Sequence, residues 1–127
     1  MPALVHAVGN CIPDNGALTR LIEGAFDAKV APVLTAAEAR DRIPAERPNL
    51  VLVNRIGDAD GTPGVDLIRW IHENHPDLPC MLISNFADSQ TEAQAAGAQM
   101  GFGKAALDTP ETRNLLGKYL PAQVAQP

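Results

Sequence analysis

The chain is poor in the features that announce many functions. Its 10 basic residues form no cluster, and 15 acidic residues set the net charge at −5. That balance offers no footprint for a phosphate backbone, so no nucleic acid is expected as a partner. The only cysteines, Cys11 and Cys80, are too few and too distant in sequence for a disulfide framework or a zinc knuckle. No apolar stretch is long enough to span a bilayer, and Met1 to His6 lacks the basic-then-apolar order of a secretion signal. A cytoplasmic protein without membrane contact is the expectation. Repeats, charge blocks and low-complexity segments are missing as well. So are a glycine-rich phosphate loop and a Ser-centred nucleophile elbow.

What remains is an ordinary globular composition, 127 residues with 46% hydrophobic and 20% charged side chains. That length suits one domain with a real core, expected over residues 1–120, with 121–127 as a flexible tail. Five apolar runs read as strands: Leu4 to Val8, Lys29 to Leu34, Leu50 to Val53, Met81 to Ile83 and Met100 to Phe102. Helical segments separate them. The first, Asn15 to Phe26, carries Leu18, Leu21, Ile22 and Ala25 on one face. Thr35 and Glu38 form a capping box for the second, which is expected to end near Pro44.

Thr62 and Pro63 open the third helix, which buries Leu67, Ile68 and Ile71. Ser89 and Glu92 read as the capping box of the fourth, which ends at Gly97. Thr109 and Pro110 open the last, with Leu115, Leu116, Tyr119 and Leu120 inward. Strict strand–helix alternation predicts an α/β fold with a doubly wound parallel five-stranded sheet. Right-handed crossovers favour a flavodoxin-like (βα)5 arrangement in the order 2-1-3-4-5. Asn54 then closes the third strand, at the edge where such sheets present their chemistry. Cys11 and Cys80 fall at opposite edges, too far apart to bridge.

Five segments in order resemble the receiver domains of two-component response regulators, over residues 3 to about 120. Arg47 to Asn54 resembles the family's third strand up to its phosphoacceptor. Pro63 to Ile71 resembles the start of the third helix. Pro79 to Ser84 resembles the fourth strand with its terminal hydroxyl, and Ala96 to Lys104 the fifth with its lysine.

The resemblance breaks at the residues that matter most. Asn54 stands in the place of the phosphoacceptor aspartate, and Gly9 and Asn10 stand for the acidic pair that holds Mg²⁺ in the family. Ser84 and Lys104 match the hydroxyl and the lysine that contact the phosphoryl group. Gly101 falls at the switch aromatic, with Phe102 one place off and so on the other strand face. The loop from Asn54 to Gly64 is about two residues longer than the family's usual one. A pocket with one lysine and no carboxylate suits neither Mg²⁺ nor phosphoryl chemistry, so no metal and no cofactor are expected.

The implied function is that of a stand-alone atypical receiver, a pseudo-receiver in signal transduction. It would bind a protein partner without aspartyl phosphorylation at Asn54, and it would not be an enzyme. The surface implied is that of the fourth helix, fifth strand and fifth helix, which the family uses for partners and homodimers. Ala93, Ala95, Ala96 and Gly101 would let another backbone approach there. Asp58 or Asp60 is expected to pair with Lys104, with Asp14 more remote.

Two further readings stay open. Asp58 or Asp60 would serve as a displaced phosphoacceptor, or the Lys104 pocket would sense a small ligand or anion. Other motifs have plainer explanations. Asp58-Ala59-Asp60-Gly61 is a polar turn rather than a calcium loop, since Ile56 and Leu67 would fall at ligand positions. His72 and His75 lack the zinc-protease spacing and suit a helix C-terminus instead. Cys11 has no basic neighbour in sequence to activate it.

Overall fold

The computed structural model describes residues 2–123. The strands are β1 (Ala3–Val8), β2 (Ala28–Val33), β3 (Leu50–Asn54), β4 (Cys80–Ile83) and β5 (Gln99–Phe102). They pair in parallel in the order β2-β1-β3-β4-β5. Helices α1 (Ile12–Ala25), α2 (Ala36–Glu46), α3 (Gly64–Asn74), α4 (Ala87–Ala95) and α5 (Pro110–Gly117) follow the strands in turn. This is the expected doubly wound α/β fold.

Side-chain alternation divides the core in two. Val5, Ala7, Leu50, Leu52, Met81, Ile83 and Phe102 pack with Leu18 and Ile22 of α1 and Leu116 of α5. Val8, Val51, Val53 and Leu82 pack with Ile43 of α2, Leu67, Ile68 and Ile71 of α3 and Ala93 of α4. The central strands are covered on both faces, which is why they read as unbroken apolar runs.

Several boundaries differ from the sequence expectation, each for a local reason. Helix α1 starts at Ile12, ahead of Asn15, because Pro13 fits a first turn whose amides have no helical acceptor. Helix α2 runs through Pro44 to Glu46, and Arg47 closes it at φ 52°. A proline removes one bond near the helix end but leaves the Arg47 amide free to reach the Ile43 carbonyl, 2.9 Å away. Its Thr35 cap forms, with the hydroxyl accepting from the Glu38 amide at 3.1 Å. The Glu38 carboxylate accepts from Leu34, one residue before the cap. Thr62 does not cap α3, which starts at Gly64 after Pro63. Helix α4 starts at Ala87, so the Ser89 box is not used.

Residues 121–123 contact the segment from Glu23 to Asp27. The Asp27 amide donates to the Pro121 carbonyl at 2.9 Å, Phe26 and Ala122 form an antiparallel bridge, and Gln123 donates to the Glu23 carbonyl. The rest of the expected tail lies outside the described residues. Cys11 and Cys80 are both free thiols. Among the described residues no helix is long and apolar enough to cross a membrane.

One buried titratable group ties stability to pH. His6 of β1 is fully buried, with Nε2 3.0 Å from Glu46 Oε1 and Nδ1 lacking a protein partner. Burial pulls its pKa below the ordinary 6.5, against the pull of Glu46. The unfolded chain therefore binds a proton at a pH where the fold still resists it. The destabilisation from His6 is absent well above pH 6.5 and grows as the pH drops below it, with a limiting slope of about 1.4 kcal/mol per pH unit. Glu46, drawn down to about 2 chiefly by Arg42, adds its loss only below 4.5. Urea midpoints between about pH 7.5 and about pH 5 should show the first decline, and His6→Leu should flatten it.

Candidate functional site

The loops that follow β1, β3, β4 and β5 converge at the carboxyl edge of the sheet. Asn54 is the last residue of β3, and its side-chain nitrogen donates to the Gly9 carbonyl at 3.1 Å and the Ile56 carbonyl at 2.7 Å. Both neighbours are acceptors, which fixes the amide's orientation. Gly9 has φ +80°, and a Cβ there would lie 3.1 Å from Gly57 Cα. Only glycine allows both the backbone and the approach.

The long loop is folded down onto β1. The Asp58 amide donates to the Gly9 carbonyl at 2.9 Å, and the Gly57 amide reaches the Thr62 carbonyl at 2.9 Å. Asp60 accepts from the Thr62 amide at 3.0 Å, a local turn that holds its carboxyl below the usual range. The backbone of Gly57 and Asp58 therefore sits against Gly9, the position matched to one of the family's metal-binding acids.

Lys104, in the turn after β5, pairs with Asp14 of α1, Nζ to Oδ2 at 2.5 Å. Lys104, and after it the Cys11 thiol, hold the Asp14 carboxyl below its usual pKa. The expected pairing with Asp58 or Asp60 is not formed. Those carboxylates travel with a loop pinned to Gly9 and closed on itself, whereas Asp14 faces Lys104 from the first turn of α1. Asp14, the more remote candidate in the sequence reading, is the partner.

A residue with no sequence signal joins β4 to β5. The Gln90 side chain of α4 donates to the Leu82 carbonyl at 2.9 Å and the Ser84 carbonyl at 3.1 Å, and accepts from the Gly101 amide at 3.1 Å. It fills an irregularity where β5 shifts register between Met81 and Ile83 of β4. A Cβ on Gly101 would meet the Leu82 carbonyl oxygen at 2.1 Å, so only glycine fits. Ser84 is buried and its hydroxyl accepts from the Phe86 amide at 3.1 Å. Phe102 is buried with Leu18, Ile83 and Leu116. The small residues of this region are mostly used internally. Ala93 and Gly101 are buried and Ala96 packs on the core, leaving Ala95 exposed.

A shallow cleft of about 200 Å³ lies over the edge, lined by Asn54, Ile83, Ser84 and Lys104 with Arg55 and Phe86 at its rim. The Arg55 guanidinium rests 5.1 Å from the centre of the exposed Phe86 ring.

Comparison with solved structures gives the architecture its name. A response regulator from Thermotoga maritima superposes with a TM-score of 0.77 at 22% identity, covering 94% of this chain and 98% of that one. The fold is that of a response-regulator receiver domain. The Mn²⁺-bound form of response regulator Rcp1 shares the receiver fold at TM-score 0.73 and 14% identity, with 99% of each chain covered. NtrX from Brucella abortus matches at TM-score 0.75 and 21% identity. There the receiver fold spans 93% of this chain but only 26% of NtrX. Neither a family model nor a curated protein sequence matches the chain.

A divalent cation, as the receiver fold implies, does not fit the residues present. Gly9, Asn10 and Asn54 carry no carboxylate, and the backbone of the long loop presses on Gly9. Among the described residues no cluster of three His, Cys, Asp or Glu side chains is arranged to hold a metal.

Proposed function

We propose that this chain is an atypical receiver module in signal transduction, one that acts by binding a protein partner and does not pass through an aspartyl phosphate at Asn54. The observation that carries this reading is the pair of hydrogen bonds from the Asn54 amide to the Gly9 and Ile56 carbonyls. An aspartate cannot make those bonds, and an amide cannot accept a phosphoryl group as an acyl phosphate. The Asp14–Lys104 pair supports the reading, because the lysine that would steady a phosphoryl group already has a carboxylate partner. The proposed contact surface is the α4–β5–α5 face, where Gln99 and Met100 are exposed on β5. A second copy of this chain is one candidate to cover it. The Asn54, Gly9, Asn10, Ser84 and Lys104 set is, on this reading, a retained pocket without its reaction.

Incubation with acetyl phosphate and Mg²⁺, read by intact mass, tests this. No phosphoryl adduct is expected. An adduct that disappears in Asp58→Ala or Asp60→Ala would overturn the reading in favour of a displaced phosphoacceptor.

A further inference from the structure

Strand β2 stands at one edge of the sheet, with β1 on its inner side. An edge strand presents backbone amides and carbonyls that no neighbouring strand meets, a template for another chain. The Asp27 and Val33 carbonyls accept from Ala3 and Gly9, so they face β1. Backbone groups alternate sides along a strand, so those of Ala28, Val30 and Pro32 face outward.

Side chains from both flanking helices occupy these outward groups. The Val30 amide donates to Glu23 Oε2 of α1 at 2.9 Å. Pro32 has no amide hydrogen, and its carbonyl accepts from Arg42 Nη1 of α2 at 3.1 Å. Arg42 is aimed there by its fork onto Glu46, at 2.7 and 3.1 Å. Glu46 is anchored in turn by buried His6 of β1, 3.0 Å away. Water satisfies the groups of an open edge equally well, so stability alone does not call for these contacts. Each one also holds a long charged side chain in a single arrangement, against its rotamer entropy.

We propose that Glu23, Arg42 and Pro32 close the β2 edge against strand pairing with a second copy of this chain. A two-fold antiparallel pairing centred on Val30 sets Val30 opposite Val30 and Ala28 opposite Pro32. Residues facing each other there exchange both of their amide–carbonyl bonds. The Val30 amide and the Pro32 carbonyl are taken, and Pro32 has no amide to give. Every bond of that pairing therefore lacks a free donor or a free acceptor. Sliding the register toward Ala28 frees the Ala28 amide to meet a Val30 carbonyl. At that end residues 121–123 already lie against Phe26 and Asp27. The inference concerns the edge remote from β5 and does not rest on the partner surface proposed above.

The test compares the full chain with Glu23→Ala/Pro32→Val, which frees the Val30 amide, adds one at position 32 and keeps the Arg42–Glu46–His6 contacts. Sedimentation velocity up to about 1 mM reads the association, and hydrogen exchange at the Val30 amide reads its place. The variant should self-associate at least about tenfold more tightly than the parent, as one or two added net hydrogen bonds allow. Its Val30 amide should exchange more slowly as concentration rises, whereas the parent's should not respond to concentration. Adding Arg42→Ala frees the Pro32 carbonyl's counterpart and should tighten the association again. Glu23→Gln/Pro32→Val keeps an acceptor for Val30 and should associate more weakly than the alanine form. Glu23→Ala/Pro32→Ala, a smaller change at the exposed proline, covers the case in which the valine form fails to fold. A folded double variant that associates no more than the parent would overturn the proposal. So would association that leaves Val30 exchange unchanged, a folded triple variant no tighter than the double, or glutamine as permissive as alanine. None of these outcomes bears on phosphoryl adduct formation.

Discussion

Asn54→Asp, the substitution that restores the family's phosphoacceptor, is expected to destabilise this protein by about 1–3 kcal/mol and to leave it unable to take up a phosphoryl group. Both hydrogens of the Asn54 amide point at carbonyl oxygens, those of Gly9 and Ile56. A carboxylate in that place faces two acceptors and has nothing to donate. The loop that Asn54 fastens would lose its tie to β1, leaving the Asp58 amide bond to Gly9. Acidification should shrink the loss, because a protonated carboxyl regains one donor. Urea unfolding of both proteins at neutral and at acid pH measures the difference directly. Equal stability at neutral pH would mean that the two amide bonds hold nothing in place.

Gln90→Leu should do more harm, about 2–4 kcal/mol, though Gln90 is only half-buried and remote from Asn54. Its amide meets three backbone groups, the carbonyls of Leu82 and Ser84 and the amide of Gly101. Those groups sit where β4 and β5 depart from regular pairing, so no ladder partner stands ready to replace it. Leucine keeps the size and loses all three bonds. Gln90→Glu keeps the bond to Gly101 and turns the other two contacts repulsive, so it should fall close to leucine. Hydrogen exchange at the Gly101 amide reads the same bond locally, and faster exchange should accompany the lower urea midpoint. A Gln90→Leu protein with unchanged midpoint and unchanged Gly101 exchange would refute this role. Gln90 therefore holds the end of β4, with Ser84, fixed to the strand position where the resemblance places a switch aromatic.

The sequence made the sheet legible because strands covered on both faces must be apolar throughout. Leu50 to Val53 shows this most clearly, since every residue in it is buried. Helix starts were harder to read. Ser89 and Thr62 carry capping chemistry, but α4 and α3 begin where the chain leaves β4 and the long loop, and tertiary geometry overrode the local signal. The altered residues of the pocket were visible as identities, whereas their consequences were not. Nothing in the spelling of Asp14 or Gln90 reveals that one reaches Lys104 and the other spans two strands. Such contacts join residues distant in sequence and leave no periodic trace. Small residues misled for a related reason. Gly101 is small because the Leu82 carbonyl and the Gln90 side chain crowd it, and Ala93 is buried in the core, so neither is left for a partner.

The central claim, a receiver fold whose pocket is closed to metal and phosphoryl group alike, is tested most directly by adding Mg²⁺ and beryllofluoride while following the backbone amides of Gly9, Asn54, Ser84 and Lys104. The structure predicts no saturable change at any of the four, since Asn54 is engaged with two carbonyls and Lys104 with Asp14. Saturable shifts at Asn54 and Lys104 that require both additives together would contradict it.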